Sequence, residues 1–137
     1  MKANRFIRIS SVVLILFSAL SLLYVSLMAI VSPQAVMDLV HVTLPNNDAY
    51  SSIRGVYGGV GLTIVISLIY MAVKDAGKGL AFLSMLWGFY ALSRLMTMAS
   101  EGALGDFGKQ WLTIESVLCL LSLTLLFLRQ KQTRAIA

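Results

Sequence analysis

Four long apolar runs alternate with short polar segments along the chain, at about residues 9–31, 52–73, 80–99 and 110–128. Because an α-helix rises 1.5 Å per residue, about 20 apolar residues cross the hydrocarbon core of a bilayer, which is roughly 30 Å thick. The pattern therefore predicts four membrane-spanning helices. Each connecting segment is too short to form a soluble domain of its own.

The amino-acid composition supports the same fold class. Hydrophobic residues make up 58% of the chain and charged residues only 12%, against about 25% charged residues in soluble domains. A core formed by 137 residues is too small to bury that much apolar surface. We therefore expect an all-α membrane protein in which residues 1–137 form a single domain, a four-transmembrane-helix bundle.

A short helix is also predicted in the first outer loop. Ser32 and Pro33 are typical of a helix start, with serine at the N-cap and proline at the first helical position. Apolar residues then recur over about residues 33–42, which favours a helix lying on the membrane surface. The following Leu44–Asp48 segment predicts a turn. His41 is the only histidine, and the loop offers no second histidine or cysteine to complete a metal site.

The distribution of charge predicts the orientation of the chain. The net charge is +5. Basic residues precede the first run, separate the second from the third and follow the fourth, whereas the other two connections are acidic. This is the positive-inside pattern, so we expect both termini in the cytoplasm and the protein in a bacterial inner membrane. The expected partner of the basic residues is the lipid bilayer and not nucleic acid. The basic positions are Lys2, Arg5, Arg8, Lys74, Lys78, Arg129, Lys131 and Arg134, and the acidic ones are Asp38, Asp48, Glu101 and Asp106.

Three ionisable residues, Arg54, Arg94 and Glu115, lie within or beside the apolar runs at similar predicted depths. A charge near the centre of a span costs about 2.5–3.5 kcal/mol, so such residues usually face a protein interior and pair with one another. We predict an outward-facing polar pocket whose spare positive charge suits a lipid headgroup, a quinone or a small anionic metabolite. Its candidate ligand-binding residues are Arg54, Tyr57, Tyr90, Arg94, Glu101 and Glu115. The alternative is structural: Arg94 pairs with Glu115 to orient two helices, and Arg54 extends into the lipid headgroups.

Glycines are concentrated at the start of the second run, at Gly55, Gly58, Gly59 and Gly61. Gly55 and Gly59 have the small-xxx-small spacing that lets helices approach closely in lipid. On a helix, Arg54, Gly58 and Gly61 share one face, which continues through Val65 and Ala72. We predict that this face packs inside the protein.

Motifs for catalysis, metal binding or cofactor binding are absent from the sequence. One cysteine, Cys119, cannot form an intramolecular disulfide or a zinc site, and we interpret it as a small packing residue. There is no HExxH, CxxC, GxSxG or Walker sequence. We therefore expect no cofactor, and catalysis stays open only through Glu115 as a base.

The motif Arg54-x-x-Tyr57-Gly58-Gly59-x-Gly61, followed by Arg94, Glu101-Gly102 and Glu115, resembles the bacterial membrane family known as domain of unknown function 4345. The resemblance extends from about residue 9 to residue 128. The family usually has Asp-Gly where this chain has Glu101-Gly102. The resemblance implies a four-span bundle with clustered polar residues, similar in layout to the DoxX-like proteins. It implies no activity.

Several functions remain compatible with the sequence. A non-enzymatic ligand-binding protein accounts for the predicted charge cluster. An accessory subunit of a transport or assembly complex, or a homo-oligomer, accounts for the glycine face. A transporter or channel is less favoured, because the polar residues lie in the outer half and form no continuous path across the membrane.

Overall fold

The computed structural model describes residues 2–136, and it describes side chains from Asn4 to Gln132. The predicted flanking charges of Lys2 and Arg134 lie outside the described side chains. Helices account for nearly all of the described chain, and no strand occurs in it, which confirms the all-α fold class. The elements are α1 (Lys2–Val31), α2 (Pro33–Asp38), α3 (Asn47–Ile53), a π-helical segment (Arg54–Val60), α4 (Gly61–Lys74), α5 (Ala76–Ser100) and α6 (Asp106–Ile136).

Among residues 2–136, four helical stretches are long and apolar enough to cross a membrane: Asn4–Val31, Asn47–Lys74, Ala76–Ser100 and Asp106–Gln132. Between 17% and 28% of the residues in their most apolar windows are buried. The remaining apolar side chains point outward, which is stable only where hydrocarbon surrounds them. The chain is therefore a multi-pass membrane protein, as the pattern of apolar runs predicts.

The helices extend beyond the apolar runs that predict them. α1 begins at Lys2 instead of residue 9, and α6 continues to Ile136 instead of residue 128. The added ends contain arginine, lysine and glutamine, which favour helix, and no proline or glycine interrupts them. The predicted runs thus mark the most apolar part of each helix and not its full length.

The second and third apolar runs leave residues 74–79 between them, but the connection is shorter in the structure, because Asp75 alone separates α4 from α5. Its carboxylate accepts hydrogen bonds from the backbone N–H groups of Gly77 at 3.1 Å and Lys78 at 3.2 Å, and so caps α5. The hydrogen bond from the Lys78 backbone is the main reason why the pKa of Asp75 lies below its ordinary value of 3.8. Gly79 is helical and serves close packing, since a Cβ there would lie 2.7 Å from Cδ1 of Ile15.

Two compact units make up the chain: one contains Leu16–Tyr70, and the other contains the residues up to Ile15 and from Met71 onward. Within the Leu16–Tyr70 unit, the predicted helix of the first loop is present but ends at Asp38 instead of residue 42. His41 has a left-handed backbone with a φ of 58°, which ends regular helix at that point. Val36 and Met37 of α2 bury against Ala29 of α1.

The side chain of Gln34 stabilises the rest of this loop through three hydrogen bonds. Nε2 of Gln34 donates to Oδ1 of Asp38 at 2.7 Å and to the backbone oxygen of Val42 at 2.9 Å. Its Oε1 accepts from the backbone N–H of Leu44, also at 2.9 Å. The loop then enters α3 through Asn46, whose side chain caps the helix by accepting from the Ala49 N–H. The predicted turn at Leu44–Asp48 is thus only partly right, because residues 44–46 are non-helical but helix begins at Asn47 and not at residue 52.

Candidate functional site

Arg94 of α5 and Glu115 of α6 form a two-pronged ion pair. Nε of Arg94 donates to Oε2 of Glu115 at 2.7 Å, and an Nη of the same guanidinium donates to Oε1 at 2.9 Å. The Glu115 side chain is 2% exposed and that of Arg94 is 22% exposed. Two parallel, charge-assisted hydrogen bonds fix the guanidinium plane as well as its position.

The connection between the two helices explains why these residues meet. Residues 101–105 reverse the chain, so that α5 and α6 run antiparallel within their unit. Arg94 lies about 9 Å before the end of α5, and Glu115 about 14 Å after the start of α6, at 1.5 Å per residue. Positions at comparable distances from the turn face each other, and each supplies the charge that the other needs in an apolar span.

Aromatic residues precede the ion pair on α5. Tyr90 lies one turn before Arg94, on the same side of the helix, and its side chain is 39% exposed. The Trp87 ring is buried, with its centroid 6.0 Å from that of Tyr90. Glu101 is exposed at the C-cap of α5, where its backbone N–H donates to the Thr97 oxygen at 2.8 Å.

Arg54 has a partner that the sequence did not suggest. Its Nε donates to the backbone oxygen of Ile30 at 3.1 Å, within the last turn of α1. Carbonyl groups in a last turn have no partner inside their own helix. A cation there also interacts favourably with the negative end of the helix dipole. Arg54 thus caps α1, while its side chain and that of Tyr57 remain exposed. The convergence of Arg54 with Arg94 and Glu115 stays a prediction.

The glycines around Arg54 divide into two pairs. A Cβ at Gly58 would lie 2.5 Å from Cδ1 of Ile30, and one at Gly61 would overlap Oγ of Ser26. Gly55 and Gly59 have no described side chain or neighbouring helix within 4 Å of such a Cβ. The close contact with α1 is therefore made by Gly58 and Gly61, and the small-xxx-small pair points away from it.

Sequence reasoning missed the π-helical segment Arg54–Val60. π-helical turns are rare and often occur at functional sites. The available signal was the density of glycine, because Gly55, Gly58, Gly59 and Gly61 fall within seven residues. Glycine density alone does not distinguish a π turn from a close-packed α-helix.

Sequence reasoning also missed a groove of about 640 Å³ between α5 and α6. Small residues form the seam beneath it: a Cβ at Gly88 would be 3.4 Å from Sγ of Cys119, and that thiol donates to the Ser84 backbone oxygen at 3.4 Å. Cys119 is half-buried there. The signal was the spacing of Ser84 and Gly88 on α5, opposite Ser116 and Cys119 on α6.

These features define a class of protein: a multi-pass α-helical membrane protein with a partly buried arginine–glutamate pair between two of its helices. Within the described residues, no group of three or more histidine, cysteine, aspartate or glutamate side chains is arranged to hold a metal ion.

Residues 11–126 match the model of the family described as Domain of unknown function (DUF4345). The match covers most of the chain, so the protein belongs to this family. No curated protein and no solved structure in the comparisons matches the chain.

Proposed function

We propose that this protein is a non-enzymatic integral membrane protein whose outward-facing polar pocket binds a lipid headgroup, a quinone or a small anionic metabolite. The observation that carries the proposal is the partly buried, two-pronged Arg94–Glu115 pair. Such a pair holds a guanidinium in one orientation inside an apolar span, where hydrogen bonds to a ligand are less weakened by water. Tyr90 and Glu101, which belong to the same compact unit as the pair, would complete the pocket.

Glu115 is the positioning residue in this proposal, and Arg94 contacts the ligand. Glu115 is almost fully buried, whereas part of the Arg94 side chain remains accessible. A planar guanidinium suits a phosphate or a carboxylate, and a quinone carbonyl can also accept from guanidinium N–H groups. Tyr90 adds a hydroxyl group one turn along the same helix face.

The test separates ligand binding from helix orientation by removing both charges together. Removing one partner leaves an unpaired charge, which costs roughly 3–5 kcal/mol when the pair is buried. Arg94→Met combined with Glu115→Met leaves no unpaired charge, and we expect this double variant to stay folded. Native mass spectrometry of the detergent-solubilised protein would use three probes: a short-chain phosphatidylglycerol, a short-chain quinone and succinate.

We expect wild type to retain one of the three probes and the folded double variant to retain it at least about tenfold more weakly, which corresponds to 1.4 kcal/mol. Arg94→Ala alone, which leaves the Glu115 charge unpaired, serves as a control that shows how a destabilised protein behaves in the same measurement. Equal retention by wild type and the double variant would contradict the proposal. Retention of none of the probes by wild type would also contradict it for these three ligand classes.

The alternative function is an accessory or oligomeric subunit of a membrane transport or assembly complex, in which the ion pair only orients helices. The Gly55 and Gly59 face favours it, because these glycines have open space around them among the described residues and small residues on a helix face suit another helix. In that case a Gly59→Leu variant would keep its fold and lose a native assembly.

The proposed location is a bacterial inner membrane, with both termini in the cytoplasm and a layout like that of the DoxX-like proteins. Lys74 and Lys78 flank the short α4–α5 connection, and Arg129 and Lys131 follow the apolar part of α6. Lysine and arginine are retained on the cytoplasmic side of bacterial membranes. The pocket would then open to the outer face.

A further inference from the structure

We propose that one end of the chain, here called the basic end, binds the headgroups of anionic phospholipids at a site separate from the Arg94–Glu115 pocket. All of its residues belong to the compact unit that contains the residues up to Ile15 and from Met71 onward. Five of its six basic side chains are exposed, and the sixth is half-buried. The basic end consists of Arg5, Arg8, Lys74, Lys78, Arg129 and Lys131.

Packing contacts bring four helices together at this end of the unit. A Cβ at Gly79 of α5 would lie 2.7 Å from Cδ1 of Ile15 in α1 and 3.3 Å from Cβ of Met71 in α4. A Cβ at Gly77 would lie 3.9 Å from Nε of Arg129 in α6. The short α4–α5 connection therefore lies beside both α1 and α6.

The direction of α1 decides on which side of these contacts its arginines lie. Gly58 packs on Ile30, whereas the later Gly61 packs on the earlier Ser26, so α1 runs antiparallel to the second membrane stretch. The first residues of α1 therefore extend in the same direction as the last residues of α4. The arginines of α1 lie on the same side as the lysines that border the α4–α5 connection.

Three exposed cations from three helices consequently lie in one layer. Counted at 1.5 Å per residue, Lys74 lies about 4 Å, Lys131 about 6 Å and Arg8 about 10 Å beyond the level of Gly79. Their levels differ by about 6 Å, and the headgroup layer on one side of a bilayer is roughly 5–8 Å thick. The layer of cations thus matches the depth of lipid phosphates.

The basic end carries more positive charge than its own acidic residue neutralises. Among the described side chains of this end, Asp75 is the single acidic residue, and it pairs with Lys78 at 3.6 Å. Arg8, Lys74 and Lys131 have no acidic partner among the described side chains. Lysine and arginine donate charge-assisted hydrogen bonds to phosphate oxygens. The excess charge favours a headgroup with a net negative charge over a zwitterionic one.

Apolar side chains beside these cations favour a lipid over a soluble anion. Phe6, Val73 and Phe127 are exposed, and each lies within two residues of a basic residue in the sequence. The acyl chains below a bound headgroup would cover these side chains, whereas a soluble anion would leave them uncovered. The long apolar stems of lysine and arginine also pack along hydrocarbon while their charges reach the phosphates.

The experiment measures which phospholipid the full chain holds at its surface. The protein is reconstituted in phosphatidylcholine vesicles with a trace of phosphatidylglycerol or phosphatidylcholine that is spin-labelled on one acyl chain. Electron paramagnetic resonance separates the motionally restricted lipid beside the protein from free lipid. At low salt we expect wild type to hold phosphatidylglycerol at least about fivefold more strongly, because one lysine or arginine near a lipid surface contributes roughly 1 kcal/mol.

Two lysine variants form a matched comparison. Lys74→Gln and Lys109→Gln each remove one exposed lysine. Lys109 lies at the other end of the unit, where Glu101 and Asp106 are also exposed. We expect Lys74→Gln to lower the preference for phosphatidylglycerol and Lys109→Gln to leave it unchanged. Equal losses in the two variants would overturn the proposal.

A triple variant removes most of the unpaired charge. Arg8→Gln, Lys74→Gln and Lys131→Gln together should abolish the preference. All three positions are exposed and helical, and glutamine favours helix, so we expect the variant to stay folded. In wild type, 1 M NaCl should have the same effect, because it shortens the Debye length to about 3 Å. An unchanged preference in the folded triple variant would contradict the proposal.

Two further measurements separate this site from its alternatives. If glycerophosphoglycerol, the headgroup without acyl chains, displaced the labelled lipid at the same concentration, the basic end would bind a soluble anion and the lipid proposal would be wrong. The Arg94→Met, Glu115→Met double variant changes no residue of the basic end and should keep the wild-type preference. A loss of preference in that variant would place the anionic lipid at the Arg94–Glu115 pocket instead, which would support the proposed function and overturn this second site.

Discussion

At the scale of single residues, the membrane setting explains why charged side chains in the spans have short contacts. Arg94 and Glu115 neutralise each other through two hydrogen bonds. Arg54, nearer the end of its span, instead uses a backbone carbonyl of α1. In both cases the polar group avoids the cost of facing hydrocarbon without a partner.

The capping role of Arg54 predicts that two substitutions lower the free energy of unfolding by different amounts. Arg54→Met removes both the hydrogen bond to Ile30 and the charge near the end of α1. Arg54→Lys keeps the charge, which alone stabilises a helix end by about 0.3–1 kcal/mol. We expect Arg54→Met to lower the free energy of unfolding by about 1 kcal/mol and Arg54→Lys to lower it by less. Denaturant titration in detergent micelles measures both, and equal losses in the two variants would contradict a capping role for the charge.

At the scale of elements, the second membrane stretch is a composite of α3, the π-helical segment and α4. Its glycines differ in surroundings although they are close in sequence. Gly58 and Gly61 lie against Ile30 and Ser26 of α1, whereas Gly55 and Gly59 are open. The buried positions Val65, Leu68 and Ala72 continue the side of the helix that Gly58 begins.

This difference predicts opposite results for two neighbouring substitutions. Gly58→Leu places a side chain where Ile30 already lies, and such overpacking typically costs about 1–3 kcal/mol. Gly59→Leu adds the same atoms on the open side. We expect a clear loss of thermal stability for Gly58→Leu and little change in the monomer for Gly59→Leu.

Differential scanning fluorimetry would measure the melting temperatures of the two purified variants and of wild type. Both substitutions remove a glycine from a helix, so the difference between them reports packing and not helix propensity. Equal destabilisation would show that Gly59 is also closely packed. Size-exclusion chromatography of Gly59→Leu on the same samples tests the alternative of an oligomeric subunit.

At the scale of the whole molecule, outward-facing apolar side chains and segregated charges act together. The outward-facing apolar side chains make the bilayer the only stable surroundings for the four long helices. The distribution of charge decides the direction in which the helices are inserted. Lysine and arginine near short loops resist transfer across the membrane. The α4–α5 connection contains Asp75 alone and is bordered by Lys74 and Lys78.

Insertion with both termini in the cytoplasm predicts a pattern of thiol labelling. On a Cys119→Ser background, Glu101→Cys should react with a membrane-impermeant maleimide in intact cells. Lys78→Cys should react only after the membrane is permeabilised. Both introduced thiols lie at exposed positions, so the comparison depends on sidedness and not on burial. The reverse pattern would contradict the predicted orientation.

The sequence by itself determined the fold class and the four membrane stretches, and it offered the pairing of Arg94 with Glu115 as one of two interpretations of the charged residues. Apolar run length is compared directly with bilayer thickness, and two opposite charges at similar depths on consecutive antiparallel helices have few other partners. Membership of the family was also evident from motifs around Arg54, Arg94 and Glu115. These features depend on local patterns or on neighbouring elements.

The tertiary structure alone decided that Gly58 and Gly61 pack against α1 while Gly55 and Gly59 stay open, which carbonyl Arg54 binds, where the π-helical turn lies and where α5 and α6 leave a groove. Arg54 and Ile30 are 24 residues apart, and their contact depends on the exact rotation and depth of two helices. A π-helical turn changes that rotation for every residue on one side of it relative to the other. Helical periodicity placed Gly58 and Gly61 on one inward face, which their contacts with Ile30 and Ser26 agree with, but the small-xxx-small spacing of Gly55 and Gly59 did not reveal that these two glycines lie on the open side.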